Sequence, residues 1–157
     1  MTAMKILRFI HILAYLVITG QLMFYFFVMG DALKAVGIEN FVEQRKIVDP
    51  LVRQRHVPVY YACLFLSVVI VILLAKHWRS PLFLSSLAAL VCLVLDVVLA
   101  QRENGPINAT INNTAMGTPG VDWEGLRTHW INMIRLRGAI SMAGFISLLA
   151  GVFWNKA

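Results

Sequence analysis

Four long apolar runs organise the chain, at residues 4–29, 57–75, 81–101 and 138–154. Each approaches or exceeds the length of about 20 residues that a helix needs to cross bilayer hydrocarbon. Inside hydrocarbon every backbone N–H and C=O must be satisfied within its own segment, so the runs predict helices. The first run is too long for the apolar core of a cleaved leader, and no small-residue cleavage site follows it. It reads as a retained span. The expected fold is all-α, a single four-transmembrane-helix bundle over residues 1–157, with no internal repeat and no second domain.

Two polar stretches, residues 30–56 and 102–137, emerge on one side of this bundle. The tight turn Lys76-His77-Trp78-Arg79-Ser80 and both termini share the other side. In the first stretch Phe41, Val42, Ile47, Val48 and Leu51 recur near helical spacing, with Glu43, Gln44, Arg45, Lys46 and Asp49 between them. The pattern predicts an amphipathic interfacial helix that stops at Pro50 or shortly after. In the second stretch, residues 114–121 are rich in Gly, Pro and Thr and predict a turn. Asp122 then reads as the N-cap of a short helix that carries Trp123, Leu126 and Trp130 into the fourth span.

Composition agrees with this pattern. Hydrophobic residues make up 59% of the chain and charged residues 14%, against about 25% charged in a soluble domain. The net charge of +6 raises nucleic acid as a partner, but the basic residues flank the spans. Lipid headgroups and topology account for them better. Lys5, Arg8, Lys76, Arg79 and Lys156 crowd the short side, while the basic residues opposite are diluted by acids and by length. That density places both termini in the cytoplasm, as expected for a multi-pass protein of a bacterial inner membrane. Cys63 and Cys92 fall within spans and read as small apolar residues.

A charge at the centre of a span costs about 2.5–3.5 kcal/mol on insertion scales, so polar residues there need individual reasons. Asp96 lies in the third span, with Glu103 and Asn104 at i+7 and i+8, near the same helical face. Gln21 and Tyr25 form an i, i+4 pair near the end of the first span. Tyr60 and Tyr61 follow His56 by one turn, and Arg135 and Arg137 open the fourth span. All sit at one depth, in the half nearest the long connections. Two readings follow: a pocket for a hydrophobic small molecule or cofactor between the helices, or an ion pair from Asp96 to Arg135 or Arg137 that pins the third span to the fourth.

His11 lies in the opposite half with Tyr15 at i+4, and reads either as a packed histidine or as a haem ligand. His56 and His129 sit at the membrane boundary near the long connections. No HxxxH, HExxH or CxxC spacing occurs, so no metal site is predicted, and GxGxxG, P-loop and GxSxG motifs are missing too. The fourth span carries Gly138, Ala139, Ser141, Ala143, Gly144, Ser147 and Gly151. Such residues allow close helix approach, within the bundle or at the interface of a homo-oligomer or larger membrane complex.

The pattern Asn104-x-Pro106-Ile107-Asn108, then Trp123-x-x-Leu126-Arg127-x-x-Trp130 and an arginine at the start of the fourth span, resembles the anthrone-oxygenase-like family of small four-helix membrane proteins. The resemblance extends to span count, loop lengths and an aromatic first span running into Met29-Gly30-Asp31-Ala32-Leu33. It implies oxygen-dependent oxidation of a fused aromatic, quinone-forming substrate. It makes Asn104, Pro106, Asn108, Trp123, Arg127, Trp130 and Arg137 the matching positions. This chain departs from the pattern at Ile134, where many relatives carry a histidine.

The expected catalytic set is His129 or Glu103 as base, with Arg137 and Asn104 stabilising an oxyanion. Gln21, Tyr25, Tyr60, Asp96, Asn108, Trp130 and Arg135 complete the expected substrate pocket. Two other readings stand beside this oxidoreductase: a non-catalytic subunit of a membrane complex, and a haem-binding redox protein using His11.

Overall fold

The computed structural model describes residues 2–154, with the side chain of Thr2 left aside. Lys156, counted above among the basic residues of the short side, lies outside the described residues. Helix α1 (Thr2–Phe24) passes through a π-helical turn (Tyr25–Met29) into α2 (Gly30–Ala35). Helix α3 (Ile38–Arg55) leads almost directly into α4 (Val57–Leu74). Helix α5 (Pro81–Leu99) passes through a second π-helical turn (Ala100–Asn104) into α6 (Gly105–Asn113), and α7 (Trp123–Phe153) completes the described chain. Four helical stretches, Ala3–Ala35, Ile38–His77, Pro81–Asn113 and Trp123–Phe153, are long and apolar enough to cross a membrane. The protein is an all-α, multi-pass membrane protein built as a four-helix bundle.

Burial explains why water is the wrong solvent for it. Only 22% to 33% of the most apolar stretch of each span is buried. Phe9, Leu13, Leu16, Phe65, Ile72, Val91, Leu95 and Ile146 face outward. Buried positions instead include His11, Thr19, Ser67, Ser86, Asp96, Arg137 and Ser141. A surface this apolar is stable only against lipid.

The spans alternate in direction, and each packs against two antiparallel neighbours: α1 and α5 both contact α4 and α7. The small residues of the fourth span are used inside the bundle. A Cβ at Gly144 would overlap the Tyr15 hydroxyl and meet Cys92, and one at Gly151 would overlap Ser85. Gly138 lies against Leu22 and Met23 of α1 in the same way. Tyr15 crosses the interior and donates to the Ala89 carbonyl at 3.1 Å.

Helix ends follow local chemistry. The Ser80 side chain accepts from the Phe83 N–H at 3.1 Å, and Pro81 enters the first turn, where no N–H is needed. Asp122 caps α7 as the sequence predicts, accepting from the Gly125 N–H at 2.9 Å. The short helix expected before the fourth span is the first part of α7, which is one unbroken helix of 31 residues.

The first long connection differs from expectation in two respects. Its helix runs through Pro50 to Arg55. Proline normally costs an interior helix a hydrogen bond and a clash; here Asp49, just before it, is tied to Asn108 and Asn112 of α6. Its inward face also differs. Phe41, Val42, Arg45 and Asp49 are buried, whereas Ile47 and Leu51 point outward. Positions 41, 45 and 49 recur at i, i+4 and i+8, so two charged residues share the buried face with Phe41. This face packs on α4, α6 and α7.

Candidate functional site

The deepest charge is Asp96, fully buried on α5. Its Oδ1 accepts from Arg137 Nε at 2.6 Å, and its Oδ2 accepts from the Tyr60 hydroxyl at 2.8 Å. Arg137 Nη1 donates to Asn104 Oδ1 at 3.2 Å, and Nη2 donates to the Tyr60 oxygen at 3.2 Å. Asn104 Nδ2 in turn donates to the Trp130 carbonyl at 3.2 Å. Three spans thus meet at one ion pair, and Arg137, not Arg135, is the partner of Asp96.

A second polar cluster adjoins the first. Asp49 on α3 accepts from Arg53 Nε at 2.9 Å, Asn108 Nδ2 at 3.0 Å and Asn112 Nδ2 at 2.9 Å. Asn108 Oδ1 accepts from the Trp130 indole N–H at 3.0 Å. Arg45 lies with its guanidinium carbon 4.3 Å from the Trp130 ring centroid, a cation–π contact. Trp130 also meets Tyr25 and Phe41 edge-on, at 5.6 and 6.2 Å between centroids.

The π-helical turns create this arrangement. Each adds a residue to a helical turn, shifting the side chains beyond it around the helix. At the end of the second one Asn104 faces Arg137, while Glu103, expected on the same face as Asp96, points outward. The first π turn closes with the Gly30 N–H bonding to the Tyr25 carbonyl. A Cβ at Gly30 would meet that carbonyl and the Arg135 guanidinium.

Between the two clusters lies a cavity of about 290 Å³. Val57, Tyr61, Leu64 and Val97 form its apolar part, between α4 and α5. His56, Asp49, Tyr60, Asn104, Asn108 and Arg137 supply its polar wall. Tyr61 is exposed on the outer surface of α4, so this part opens sideways toward lipid. A smaller chamber of about 70 Å³, lined by Gln21, Tyr25, Arg45, Trp130 and Ile134, shares Asp49, Val52, Tyr60, Asn104, Asn108 and Arg137 with it.

The structure therefore brings Gln21, Tyr25, Tyr60, Asn104, Asn108, Trp130 and Arg137 to the cavity walls, with Asp96 directly behind Arg137. It does not bring the rest. Arg135 pairs with Asp31 at 2.6 Å on the outer side of α7. His129 Nε2 and Glu103 Oε2 lie 2.9 Å apart as a half-exposed pair, and neither lines either chamber. The expected base and the expected oxyanion donor are thus on different surfaces. Arg127, a position of the family-like motif, donates to the Val36 carbonyl at 2.7 Å and the Leu33 carbonyl at 3.4 Å, closing the end of α2.

Arg45, Asp49 and His56 are wall residues that the sequence did not single out as a site. Arg45 and Asp49 are polar positions of the helix that the sequence predicts as amphipathic and interfacial, and the structure turns both inward.

His11 is held against α4 by Ser67. Its Nε2 lies 2.7 Å from Ser67 Oγ, and the Ser67 hydroxyl donates to the Cys63 carbonyl at 2.8 Å. A hydroxyl has one proton, so His11 Nε2 is the donor to Ser67 and the lone pair of the neutral ring is on Nδ1. The void beside it is about 10 Å³, the size of one water. Among the described residues no cluster of three or more His, Cys, Asp or Glu is arranged to hold a metal ion.

Fold and site together define a class: a multi-pass four-helix membrane protein with a charged, laterally open cavity at one end of the bundle. Comparison with protein-family models, with curated proteins and with solved structures gave no match to this chain.

Proposed function

We propose that this cavity takes a hydrophobic aromatic or quinone-like molecule from the bilayer, and that the protein is an oxidoreductase of the anthrone-oxygenase kind acting on it. The observation that carries the reading is the cavity itself: an apolar side facing lipid and a wall of buried hydrogen-bonding groups. Its volume of about 290 Å³ lies near the lower edge of the range of about 300–1,000 Å³ for small-molecule sites. The reaction class comes from the family resemblance.

Arg137 is suited to hold a substrate oxygen. Its bonds to Asp96, Asn104 and Tyr60 use three N–H groups of the five that a guanidinium carries. Asp96 and Tyr60 fix its direction. His56, on the same wall, replaces His129 as the proton acceptor. In the oxidation of an anthrone, the ring CH₂ loses a proton to this base, and the resulting carbanion carbon takes one oxygen atom from O₂. The second oxygen atom leaves as water with the two hydrogens removed from carbon, giving the quinone carbonyl.

The test is oxygen uptake and anthraquinone formation from anthrone by the detergent-purified protein. Turnover above the uncatalysed rate, lost in Arg137→Gln and reduced in His56→Ala, is expected. No turnover above that rate removes the oxidation for this substrate, whereas the mass of a co-purified aromatic molecule tests binding alone.

The same reading puts the termini in the cytoplasm of a bacterial inner membrane. Lys5, Arg8, Lys76 and Arg79, on the side opposite the cavity, support it. A carboxy-terminal reporter active only in the cytoplasm tests it.

A further inference from the structure

The smaller chamber contains a cation, Arg45, that adjoins the Tyr25 side chain but has one buried N–H without an acceptor. Arg45 is 4% exposed, and its Nε has no hydrogen-bond partner. Nη2 makes one long bond, 3.4 Å to Asn108 Oδ1, and stands 3.6 Å from Asp49 Oδ1. Asp49 is already committed to Arg53, Asn108 and Asn112. Two arginines therefore share one carboxylate here, while Arg137 has Asp96 to itself. A buried charge without a full partner is costly, and so is a buried N–H without an acceptor.

Arg45 also lines open space. The chamber of about 70 Å³ exceeds the roughly 10–15 Å³ that admits one water, and has room for a three-atom carboxylate. The Gln21 amide on the same wall offers a second donor. Trp130, held by its indole bond to Asn108 and stacked under Arg45, keeps the guanidinium in place. This chamber shares Asn104, Asn108 and Arg137 with the larger cavity, so the two adjoin.

We propose that the small chamber is a carboxylate subsite, and that the ligand is an aromatic carboxylate with its ring in the outer cavity and its acid group on Arg45. The inference rests on the cavity being the ligand site, and it adds the ligand's chemical class. A phosphodiester headgroup has the same charge, but its two ester arms exceed what a chamber closed by Trp130 and Tyr25 admits.

The experiment compares 2-naphthoate with uncharged 2-naphthamide, using the full chain in neutral detergent and tryptophan fluorescence as the readout. The acid is expected to bind at least tenfold more tightly. In Arg45→Gln the two affinities should come within threefold of each other. Arg45→Lys, which keeps the charge and loses Nε, should give an intermediate ratio, and it serves if Arg45→Gln fails to fold. Equal affinities in the unaltered protein, or a preference that survives both substitutions, overturn the carboxylate subsite and leave the cavity reading intact. Binding of neither probe removes both. Competition by phosphatidylglycerol added to the micelles, at concentrations where phosphatidylcholine does not compete, would reassign the subsite to a lipid headgroup and overturn the proposal.

Discussion

In the half of the bundle nearest the termini, buried polar side chains are neutral and paired one to one between helices: His11 with Ser67, Thr19 with Ser141, Tyr15 with the Ala89 carbonyl. In the half nearest the long connections they are charged and interlinked, through Asp96–Arg137–Tyr60–Asn104 and Asp49–Arg53–Asn108–Trp130. The first half closes to a void of about 10 Å³, and the second keeps chambers of about 290 and 70 Å³. Neutral pairs satisfy their donors with little desolvation and allow glycine-mediated approach of the helices. A buried ion pair is a poor source of stability, because removing two charges from water offsets most of their attraction.

Substitutions can break this contrast. The largest effect is expected from Arg137→Ala, which strands the buried Asp96 carboxylate. Loss of about 3–5 kcal/mol is expected, read from denaturant unfolding in detergent, and Asp96→Asn combined with Arg137→Gln should recover much of it. A stability change below about 1 kcal/mol for the single variant would show that Asp96 is already neutral or hydrated. Gly144→Val comes next. Its side chain meets Tyr15 and Cys92, so about 1–3 kcal/mol should be lost to overpacking, with no change in ligand affinity beyond the loss of folded protein.

His11→Ala and Ser67→Ala test the neutral half more gently. Ser67→Ala should cost about 0.5–1.5 kcal/mol, the net worth of a typical hydrogen bond, His11→Ala should cost more because it also empties the space of a fully buried ring, and the double variant should cost less than the sum. A coupling of zero would mean that the two groups do not meet in solution. The smallest effect on stability is expected for His129→Ala, at about 0.5 kcal/mol or less, because its pair with Glu103 is half-exposed. This variant also decides between two candidate bases. Turnover that persists in His129→Ala and falls in His56→Ala supports the base on the cavity wall, and the reverse result returns the role to His129.

Much of the charged half was legible in the chain. Depth alone grouped Gln21, Tyr25, Tyr60, Asp96, Asn104 and Arg137, because residues near the same ends of antiparallel spans must meet at one level. Angular position was harder to read. Glu103 and Asn104 are adjacent, and only the π turn determines which of them faces inward. Arg135 and Arg137 are two residues apart on a helix, hence on different sides of it, and sequence alone left either as the partner of Asp96. Arg45 and Asp49 were missed because charge on an amphipathic helix ordinarily marks the wet face. Here the helix is packed on the bundle, and its charged ladder faces in.

The sequence by itself determined four spans, their alternating direction, the cap at Asp122 and the level at which polar residues collect. These follow from local quantities: run length, hydrophobicity and the short reach of a capping side chain. Tertiary structure alone decided which faces meet, that α3 runs through Pro50, and that His129 lies outside the cavity while His56 lies on its wall. Those outcomes depend on the rotation of each helix about its own axis. Packing among several helices sets that rotation, and no single segment carries it.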